Sequence, residues 1–264
     1  MMITLLLTLF SGIGVGLLSS VLGLGGGIII VPLLTVIFDM PHAHAVATSL
    51  MTIAFITLLN TWRFQKKEMV NWRLVFVIVT FSSVSSLAGG YLATILNERF
   101  LLLVFVLFVL YVFLQTLFLS YSLSDQVDLS TRSPWFWGSI IGASSGIISG
   151  TTGVGGGAII TPLLFKSRIE IHARVVPITN AVMLLNALFA LIPFALHQPR
   201  VPGTLTLGYI HIDRALMIFA GAVPASVWGT HYQGRIPLKT KKIFIAVVLL
   251  IILIRMTVKF LSGS

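Results

Sequence analysis

Successive apolar runs, most of them long enough to cross a lipid bilayer, limit the folds open to this chain. A transmembrane helix needs about 20 consecutive, mainly apolar residues, and runs of this kind follow one another along most of the 264 residues. Charged residues are 9% of the chain, whereas a soluble domain has about 25%. We therefore predict an all-α integral membrane protein. A soluble enzyme, a nucleic-acid-binding protein and a disordered chain are excluded.

Clusters of basic residues lie in short loops between the apolar runs and account for much of the net charge of +10. Loops rich in Lys and Arg remain on the cytoplasmic side of a membrane. We therefore predict that the loops at 63–73, 166–174 and 235–242 face the cytoplasm. The apolar segment 1–22 has no Lys or Arg before it and no clear small-residue cleavage site, so we expect it to be a retained helix.

The chain contains an internal repeat. Residues 23–34 (GLGGGIIIVPLL) align without gaps to residues 153–164 (GVGGGAIITPLL), and nine of the twelve positions are identical. The same offset pairs the His-Ala steps at 42–43 and 172–173. Many transporters consist of two related halves. We predict two homologous halves, and the expected segments are a first membrane repeat over 1–122, a linker over 123–133 and a second membrane repeat over 134–264.

The basic loops also indicate how the two repeats are oriented. If 63–73 and 166–174 both face the cytoplasm, the segment 134–165 must enter the membrane and return to the same side as a broken helical hairpin. The repeat partners 39–44 and 169–174 then lie on opposite faces, which defines an inverted-topology repeat. Each half would contain one glycine-broken hairpin and about three transmembrane helices. Parallel repeats remain the alternative, because the 120–133 linker is not basic.

Four glycines within five residues weaken a helix at each copy of the motif. Irregular backbone inside a membrane is tolerated where it is buried in protein or lines a watery cavity. The short helices after the breaks would direct free N–H groups and positive dipole ends at one site, which suits an anion. The predicted substrate-binding glycines are Gly25, Gly26, Gly27, Gly155, Gly156 and Gly157, and the predicted hinge residues are Gly23, Pro32, Gly153 and Pro162. Close helix packing through small residues is the alternative, and it suffices for Gly12, Gly16, Gly142 and Gly146.

Neutral polar side chains near the breaks complete the predicted anion site. They are Ser49, Thr151, Thr152, Thr179 and Asn180, whose hydroxyl and amide groups can donate hydrogen bonds to an oxyanion. The alternative is interhelical hydrogen bonding, worth about 0.6 kcal/mol per bond. All seven carboxylates lie in or near predicted loops. Because cation and proton relays commonly use a carboxylate inside the membrane, these positions favour an anionic substrate and leave the coupling ion undetermined.

No pattern in the chain indicates catalysis or a cofactor. There is no Cys, and the six His residues show no metal-ligand spacing. The G-x-G-x-x-A pattern at 153–158 fits the dinucleotide-binding fingerprint only formally, because no predicted strand precedes it. We therefore predict no enzymatic activity, no cofactor and no metal. His42 and His172 begin equivalent helices, where they either contact the substrate or lie at the interface as capping residues.

The duplicated glycine motif, each copy followed by a His-Ala turn, and the Ala-Thr-Ser-Leu sequence at 47–50 resemble the TauE/SafE sulfite exporter family over essentially the whole chain. The resemblance implies a multi-pass transporter of the inner (plasma) membrane that moves sulfite, organosulfonates or related small sulfur-containing anions. The second copy departs from the family pattern at 176–179, where Val-Pro-Ile-Thr replaces Ala-Thr-Ser. The two sides of the site are therefore not expected to be identical.

Together these patterns predict a secondary transporter that binds a small anion through backbone N–H groups at the two breaks and works by alternating access. A passive anion channel, a transporter of a sulfur-free anion and a transporter of a metal cation remain alternatives. The expected partners are the anionic substrate and membrane lipid, with no nucleic acid. A homodimer remains open.

Overall fold

The computed structural model describes residues 2–22, 26–118, 133–197, 205–233 and 238–262, which form ten α-helices and one short hairpin. In the first half, the helices are α1 (Met2–Leu22), α2 (Gly27–Pro32), α3 (His42–Lys66), α4 (Trp72–Ile95) and α5 (Glu98–Phe118). In the second half, they are α6 (Pro134–Thr152), α7 (Gly157–Ser167), α8 (His172–Leu196), α9 (Ile212–Gln233) and α10 (Leu238–Ser262). A π-helical turn, Leu33–Ile37, extends α2, and antiparallel strands β1 (Thr206–Leu207) and β2 (Ile210–His211) precede α9. The predicted linker, up to residue 132, lies outside the described residues, as do Gly23 and Gly25.

Five helices of the described part are long and apolar enough to cross a membrane: α3, α4, α5, α8 and residues Lys242–Ser262 of α10. The 25 residues of α3 extend about 37 Å, against about 30 Å for the hydrocarbon core of a bilayer. Outward-facing residues on these helices are large and apolar, as lipid-facing residues are. The prediction of an all-α, multi-pass membrane protein is therefore confirmed.

The two halves present their helices in the same order. Each has a long helix, an interruption, a short helix with an internal proline, and then three long helices. The β1–β2 hairpin between α8 and α9 has no counterpart between α3 and α4 within the described residues. This hairpin belongs to an insertion of about ten residues. The insertion shifts the repeat offset after α8.

Glycines let α6 pack so closely against α4 that the main chains of the two helices touch. A Cβ added to Gly142 would lie 2.3 Å from the carbonyl oxygen of Ile78, and one added to Gly146 would lie 2.6 Å from that of Ser82. Such distances leave no room for a side chain, so the two helices touch through their main chains. Close helix packing, the expectation for these two glycines, is what the structure shows.

The same arrangement joins α1 to α9. An added Cβ would lie 2.4 Å from the carbonyl oxygen of Ile218 at Gly12, and 2.3 Å from that of Ala222 at Gly16. Each of these tight pairs takes one helix from the first half of the chain and one from the second half. The halves are therefore interlocked and do not form two separate bundles.

Polar contacts identify the two ends of the helix bundle. At one end, called the Glu170 end, Asn71 donates to Glu170 (Nδ2 to Oε2, 2.5 Å), which joins the α3–α4 connection to the α7–α8 connection. At the other end, called the Asp39 end, Lys259 of α10 contacts Asp39 (Nζ to Oδ1, 2.9 Å). The backbone N–H of His42 donates there to Glu98 (2.7 Å). Helix α3 therefore runs from the Asp39 end to the Glu170 end, and α8 runs in the opposite direction.

The helices α3 and α8 are the most buried of the long helices and cross next to one another. Asn60 of α3 donates to Asn180 of α8 (Nδ2 to Oδ1, 3.1 Å). The short helices α2 and α7 pack on this central pair from the two halves. Gly26 and Gly27 at the start of α2, and the interruption before α7, are consequently brought to the interior of the molecule.

Candidate functional site

The second interruption, between Thr152 and Gly157, has backbone that favours glycine. Gly153, Gly155 and Gly156 have φ of +73°, +79° and +81°, a left-handed region in which other L-residues are strained. Helix α7 then begins, and the N–H groups of Ile159 and Ile160 both donate to the carbonyl of Gly156 at 3.0 Å. The N–H groups of the preceding residues have no partner within the new helix. They are donors available to a ligand.

The first interruption repeats this geometry where it is described. Gly26 has φ of +71°, and its carbonyl accepts from Ile29 and Ile30 at 3.0 and 3.1 Å. Gly26 therefore takes the same place before α2 that Gly156 takes before α7. Pro32 is buried inside α2 and Pro162 is half-buried inside α7. Each proline lacks an N–H and so removes one backbone hydrogen bond from a short helix.

The two interruptions contact one another. A Cβ added to Gly27 would lie 2.7 Å from Cα of Val154, so backbone of the first half touches backbone of the second. Gly153 is equally close to α3, since its added Cβ would lie 2.9 Å from Cα of Val46. The hydroxyl of Ser49 completes the contact by donating to the carbonyl of Gly153 at 2.7 Å. Gly26, Gly27, Ser49 and the backbone of 153–157 are thus brought together, and we call this region the glycine site.

Two apolar side chains lie against the starts of α2 and α7 at the middle of the bundle. Ile53 and Met183 are repeat partners at the 130-residue offset, and each lies eleven residues into its helix, about 17 Å from the helix start. Cδ1 of Ile53 lies 2.6 Å from an added Cβ at Gly27, and Sδ of Met183 lies 2.6 Å from one at Gly157. Both side chains also contact Gly155. Each helix start therefore has an apolar side chain directly against it.

The hydroxyls of Thr151 and Thr152 are turned towards their own helix. Thr151 donates to the carbonyl of Ile147 at 2.8 Å, and Thr152 donates to that of Ile148 at 2.6 Å. Both residues are buried beside the second interruption. Their hydroxyl protons are thus occupied within α6 in this conformation, and only the oxygen lone pairs face other groups.

Thr179 and Asn180 lie apart from the glycine site, nearer to the Glu170 end. Thr179 is 3.2 Å from Thr161 of α7 (Oγ1 to Oγ1). Asn180 donates to the carbonyl of Val176 at 2.9 Å and accepts from Asn60. These residues link α8 to α7 and to α3, and the structure does not bring them to the helix starts.

Asn186 and Ser145 stand beside Gly156 and were not among the predicted site residues. Nδ2 of Asn186 donates to Oγ of Ser145 at 3.4 Å, and it lies 3.3 Å from an added Cβ at Gly156. Both side chains are fully buried. Oδ1 of Asn186 and Oγ of Ser149 have no hydrogen-bond partner in the described part of the chain. The signal available in the sequence was the spacing of Ser145, Ser149 and Thr152, which places all three on one face of α6.

The charged groups of the described residues lie at the two ends of the bundle. Asp39, Glu68, Glu98, Glu170 and Asp213 all occupy connections or the first or last turns of helices. Lys259 donates to the exposed carboxylate of Asp39, and this bond lowers the pKa of Asp39. The described residues contain no group of three His, Asp or Glu side chains that is able to hold a metal ion. The electrostatics of the glycine site therefore come from backbone and neutral side chains.

Comparison with known proteins places this architecture in a family. The family model described as Sulfite exporter TauE/SafE matches residues 8–256. A probable membrane transporter protein of Haemophilus influenzae is 29% identical over 265 residues, which cover 97% of this chain and 98% of that protein. A probable membrane transporter protein of Methanocaldococcus jannaschii is 28% identical over 254 residues, which cover 92% and 91%. No solved structure matches.

These matches extend along nearly the whole chain and include all ten helices at least in part. The family is one of membrane transporters and not of enzymes. The resemblance indicated by the duplicated glycine motif is thus confirmed, and the chain belongs to the TauE/SafE sulfite exporter family.

Proposed function

We propose that this protein is a secondary transporter that moves a small sulfur-containing anion, sulfite or an organosulfonate, across the inner (plasma) membrane by alternating access. The anion is bound by backbone N–H groups at the glycine site. The observation that carries the proposal is the contact between the two interruptions, where Gly27 lies against the backbone of Val154. Two helix starts are thereby brought to one place at the middle of the bundle.

The electrostatics of the glycine site support an anion over a cation. The N-terminus of a helix carries roughly half a positive charge and free N–H groups, so it attracts oxyanions. Helix α7 supplies eleven residues of dipole, and α2 continues into the π-helical turn. The amide of Asn186 adds a further donor beside Gly156. No carboxylate among the described residues lies near this site to oppose an anion or to bind a cation.

An inverted orientation of the two repeats fits the contacts at the ends of the bundle. The turn before α3 belongs to the Asp39 end, whereas the equivalent turn before α8 belongs to the Glu170 end. The basic residues at 63–73 and 166–174 then share the Glu170 end, as the positive-inside rule requires of a cytoplasmic face. In this orientation the substrate enters the glycine site through the first repeat from one side and through the second repeat from the other.

The interlocked helices restrict which parts of the protein can move during alternating access. If the two sequence halves rocked as rigid bodies, the backbone contacts of α6 with α4 and of α1 with α9 would break. The glycines bring these helices so close together that they cannot slide past one another. We propose instead that each of these pairs moves as a unit against the central helices α3 and α8. The backbone at the interruptions and at the prolines of α2 and α7 then bends as these short helices change direction.

The proposal is tested by measuring the flux of radiolabelled sulfite into proteoliposomes that contain the purified protein. The competitors are sulfate, thiosulfate, sulfoacetate and a small carboxylate. Saturable sulfite flux that only sulfur oxyanions inhibit supports the proposal. Equal inhibition by the carboxylate contradicts the substrate class, and absence of any saturable flux contradicts a sulfite transporter.

The same vesicles distinguish a transporter from a passive channel. A coupled transporter accumulates the anion against its gradient when an ion gradient is imposed, whereas a channel only equilibrates it. Accumulation that disappears when the ion gradient is collapsed is the expected result. Flux that never exceeds equilibration would favour the channel.

A further inference from the structure

A pair of buried histidines at the Asp39 end has no role in the function proposed above. Nδ1 of His44 lies 3.1 Å from Nε2 of His211, so one ring donates a hydrogen bond to the other. His44 belongs to the first turn of α3, and His211 is the last residue of β2. Each side chain is 7% exposed. Two imidazoles in contact can share one added proton, but a second proton would place two like charges together.

One nitrogen of this pair lacks a hydrogen-bond partner. Whichever ring donates, Nδ1 of His211 is left over, and it has no partner in the described part of the chain. It carries either an unpaired N–H or a free lone pair, depending on the tautomer. In the second case a proton can bind at Nδ1 without breaking the bond to His44. Oδ1 of Asp213, two residues further on, is also buried without a partner among the described residues, and its charge favours protonated His211.

Burial, more than the surrounding charges, keeps His211 neutral when no anion is present. Burial lowers the pKa of His211 to about 4, and His44 and Arg214 act in the same direction while Asp213 opposes them. Glu98, at the start of α5, is the carboxylate that interacts with His44. The other polar groups packed on the pair are the ring of Tyr209 and the hydroxyl of Thr48. The pair therefore binds a proton only as the pH falls or as a negative charge arrives nearby.

One turn of α3 connects the pair to the glycine site. Thr48 lies one turn after His44, and its hydroxyl accepts from the backbone N–H of His211 at 3.2 Å. The next residue, Ser49, donates to the carbonyl of Gly153 at 2.7 Å. His44 and Ser49 are five residues apart, which is about 7.5 Å along the helix. Opposite charges about 10 Å apart in protein change each other's binding on the order of tenfold.

We propose that the His44–His211 pair is a proton-binding site that takes up one proton when an anion occupies the glycine site, so that anion transport is coupled to proton movement. The inference rests on the transport function proposed above and supplies its coupling ion. Because coupling between two sites is reciprocal, the proton also strengthens binding of the anion. The pair lies at the end opposite to the basic loops, so the proton is exchanged with the non-cytoplasmic side.

The test is titration calorimetry of the purified full-length protein with sulfate and with methanesulfonate, whose charges do not change between pH 4.5 and 7.5. Titrations in two buffers of different ionisation enthalpy give the number of protons taken up per anion. We expect proton uptake below about pH 6 and anion affinity several-fold higher at pH 4.5 than at pH 7. His44→Gln and His211→Gln should bind the anions with no proton uptake and no dependence on pH. Glutamine retains a donor and an acceptor, so the neutral hydrogen bond is preserved while the titrating group is removed.

The control is His197→Gln, at the same end of the bundle, where the ring contacts Tyr91. This variant should keep the pH dependence of the wild type. Thermal unfolding of each variant shows whether it is folded, and His44→Asn replaces His44→Gln if the latter is not. Anion binding by the wild type without proton uptake, or uptake that persists in both glutamine variants, overturns the proton site alone. Failure of the wild type to bind either anion overturns the proposed anion site and the proton site together.

Discussion

Where both are described, the two glycine interruptions have the same backbone geometry but different surroundings. Gly26 and Gly156 both have positive φ and both cap a short helix with their carbonyl. Gly27, however, lies against the backbone of Val154 and the stiff, β-branched side chain of Ile53. At its partner Gly157, the three atoms nearest to an added Cβ all belong to the side chain of Met183. Packed backbone cannot move away from an added side chain, whereas an unbranched methionine can adopt many rotamers.

This difference indicates which side of the glycine site moves. Gly27, at the start of α2, is packed against backbone and a stiff side chain, so this helix start is suited to act as a platform. The second is covered by a flexible side chain, which must move before an anion can reach the start of α7. We expect Met183 to be displaced when substrate enters and Ile53 to stay in place. The following predictions test this asymmetry and the shared backbone on which it depends.

The largest effect is expected from a side chain at the shared capping glycine. Gly26→Leu and Gly156→Leu should each abolish transport, because both positions have positive φ and, at Gly156, an added Cβ would lie 2.9 Å from the carbonyl oxygen of Ser145. Flux is measured in proteoliposomes, and membrane insertion is checked by fractionation. Gly14→Leu is the matched control, because no atom lies within 4 Å of an added Cβ there. Normal transport by both capping variants would rule out the glycine site.

A second prediction separates the two interruptions. Gly27→Ala should lower transport at least about fivefold, since forcing a methyl group against packed backbone costs about 1–3 kcal/mol. Gly157→Ala should lower it less, because Met183 can move aside. The double variant Gly157→Ala with Met183→Ala should recover most of the loss. Equal effects of the two single alanine variants on flux would show that the interruptions are equivalent.

A third prediction compares the hydroxyls at equivalent positions of α3 and α8. Ser49→Ala should raise the KM for the anion several-fold, because Ser49 holds Gly153 through a buried bond worth about 0.5–1.5 kcal/mol. Thr179→Val, which removes the hydroxyl and keeps the shape of the side chain, should leave the KM unchanged, since that hydroxyl meets Thr161 away from the helix starts. Concentration-dependent flux gives both values. An effect of the Thr179 variant as large as that of the Ser49 variant would restore Thr179 to the anion site.

The smallest effects are expected at the two equivalent turns. Asp39→Asn should not change the melting temperature at pH 7, because the carboxylate of Asp39 is exposed and ion pairs of exposed groups contribute little. Lys259 lowers the pKa of Asp39, so any contribution is present at neutral pH and is lost only as the pH falls through that lowered pKa. Glu170→Ala should lower the melting temperature, since Glu170 is buried and accepts from both Asn71 and Ile171. Thermal unfolding in detergent compares the two, and equal stability would contradict the difference in burial.

Much of the fold followed from patterns that are periodic or repeated. Apolar length predicted the long helices, and the duplicated motif predicted where the helices are interrupted before Gly27 and Gly157. These features depend on local composition and on the bilayer, so no knowledge of tertiary contacts was needed. The pairing of α1 with α9 and of α4 with α6 was not predicted. It depends on which glycine-lined surfaces meet, and many surfaces of this chain contain small residues.

The backbone conformation at the glycines followed from the sequence more closely than the directions of the nearby side chains. Positive φ at Gly26, Gly153, Gly155 and Gly156 agrees with the reasons given for a break at these positions. A threonine, by contrast, can donate to the carbonyl four residues before it, as Thr152 does. The sequence does not show which way a hydroxyl turns. The sequence places Asn186 on one helical face with Thr179 and Met183, but its closeness to Gly156 arises only when α8 packs against the start of α7.

The central claim is that the two interruptions together hold an anion, and the most direct test is to locate one. Crystals grown or soaked with selenite, a heavier analogue of sulfite, give an anomalous signal that identifies the selenium position. We predict a peak within hydrogen-bond distance of the backbone N–H groups that begin α7, next to Asn186, with the Met183 side chain displaced. A peak confined to the basic residues of the Glu170 end, with no anion at the glycine site, would contradict the claim.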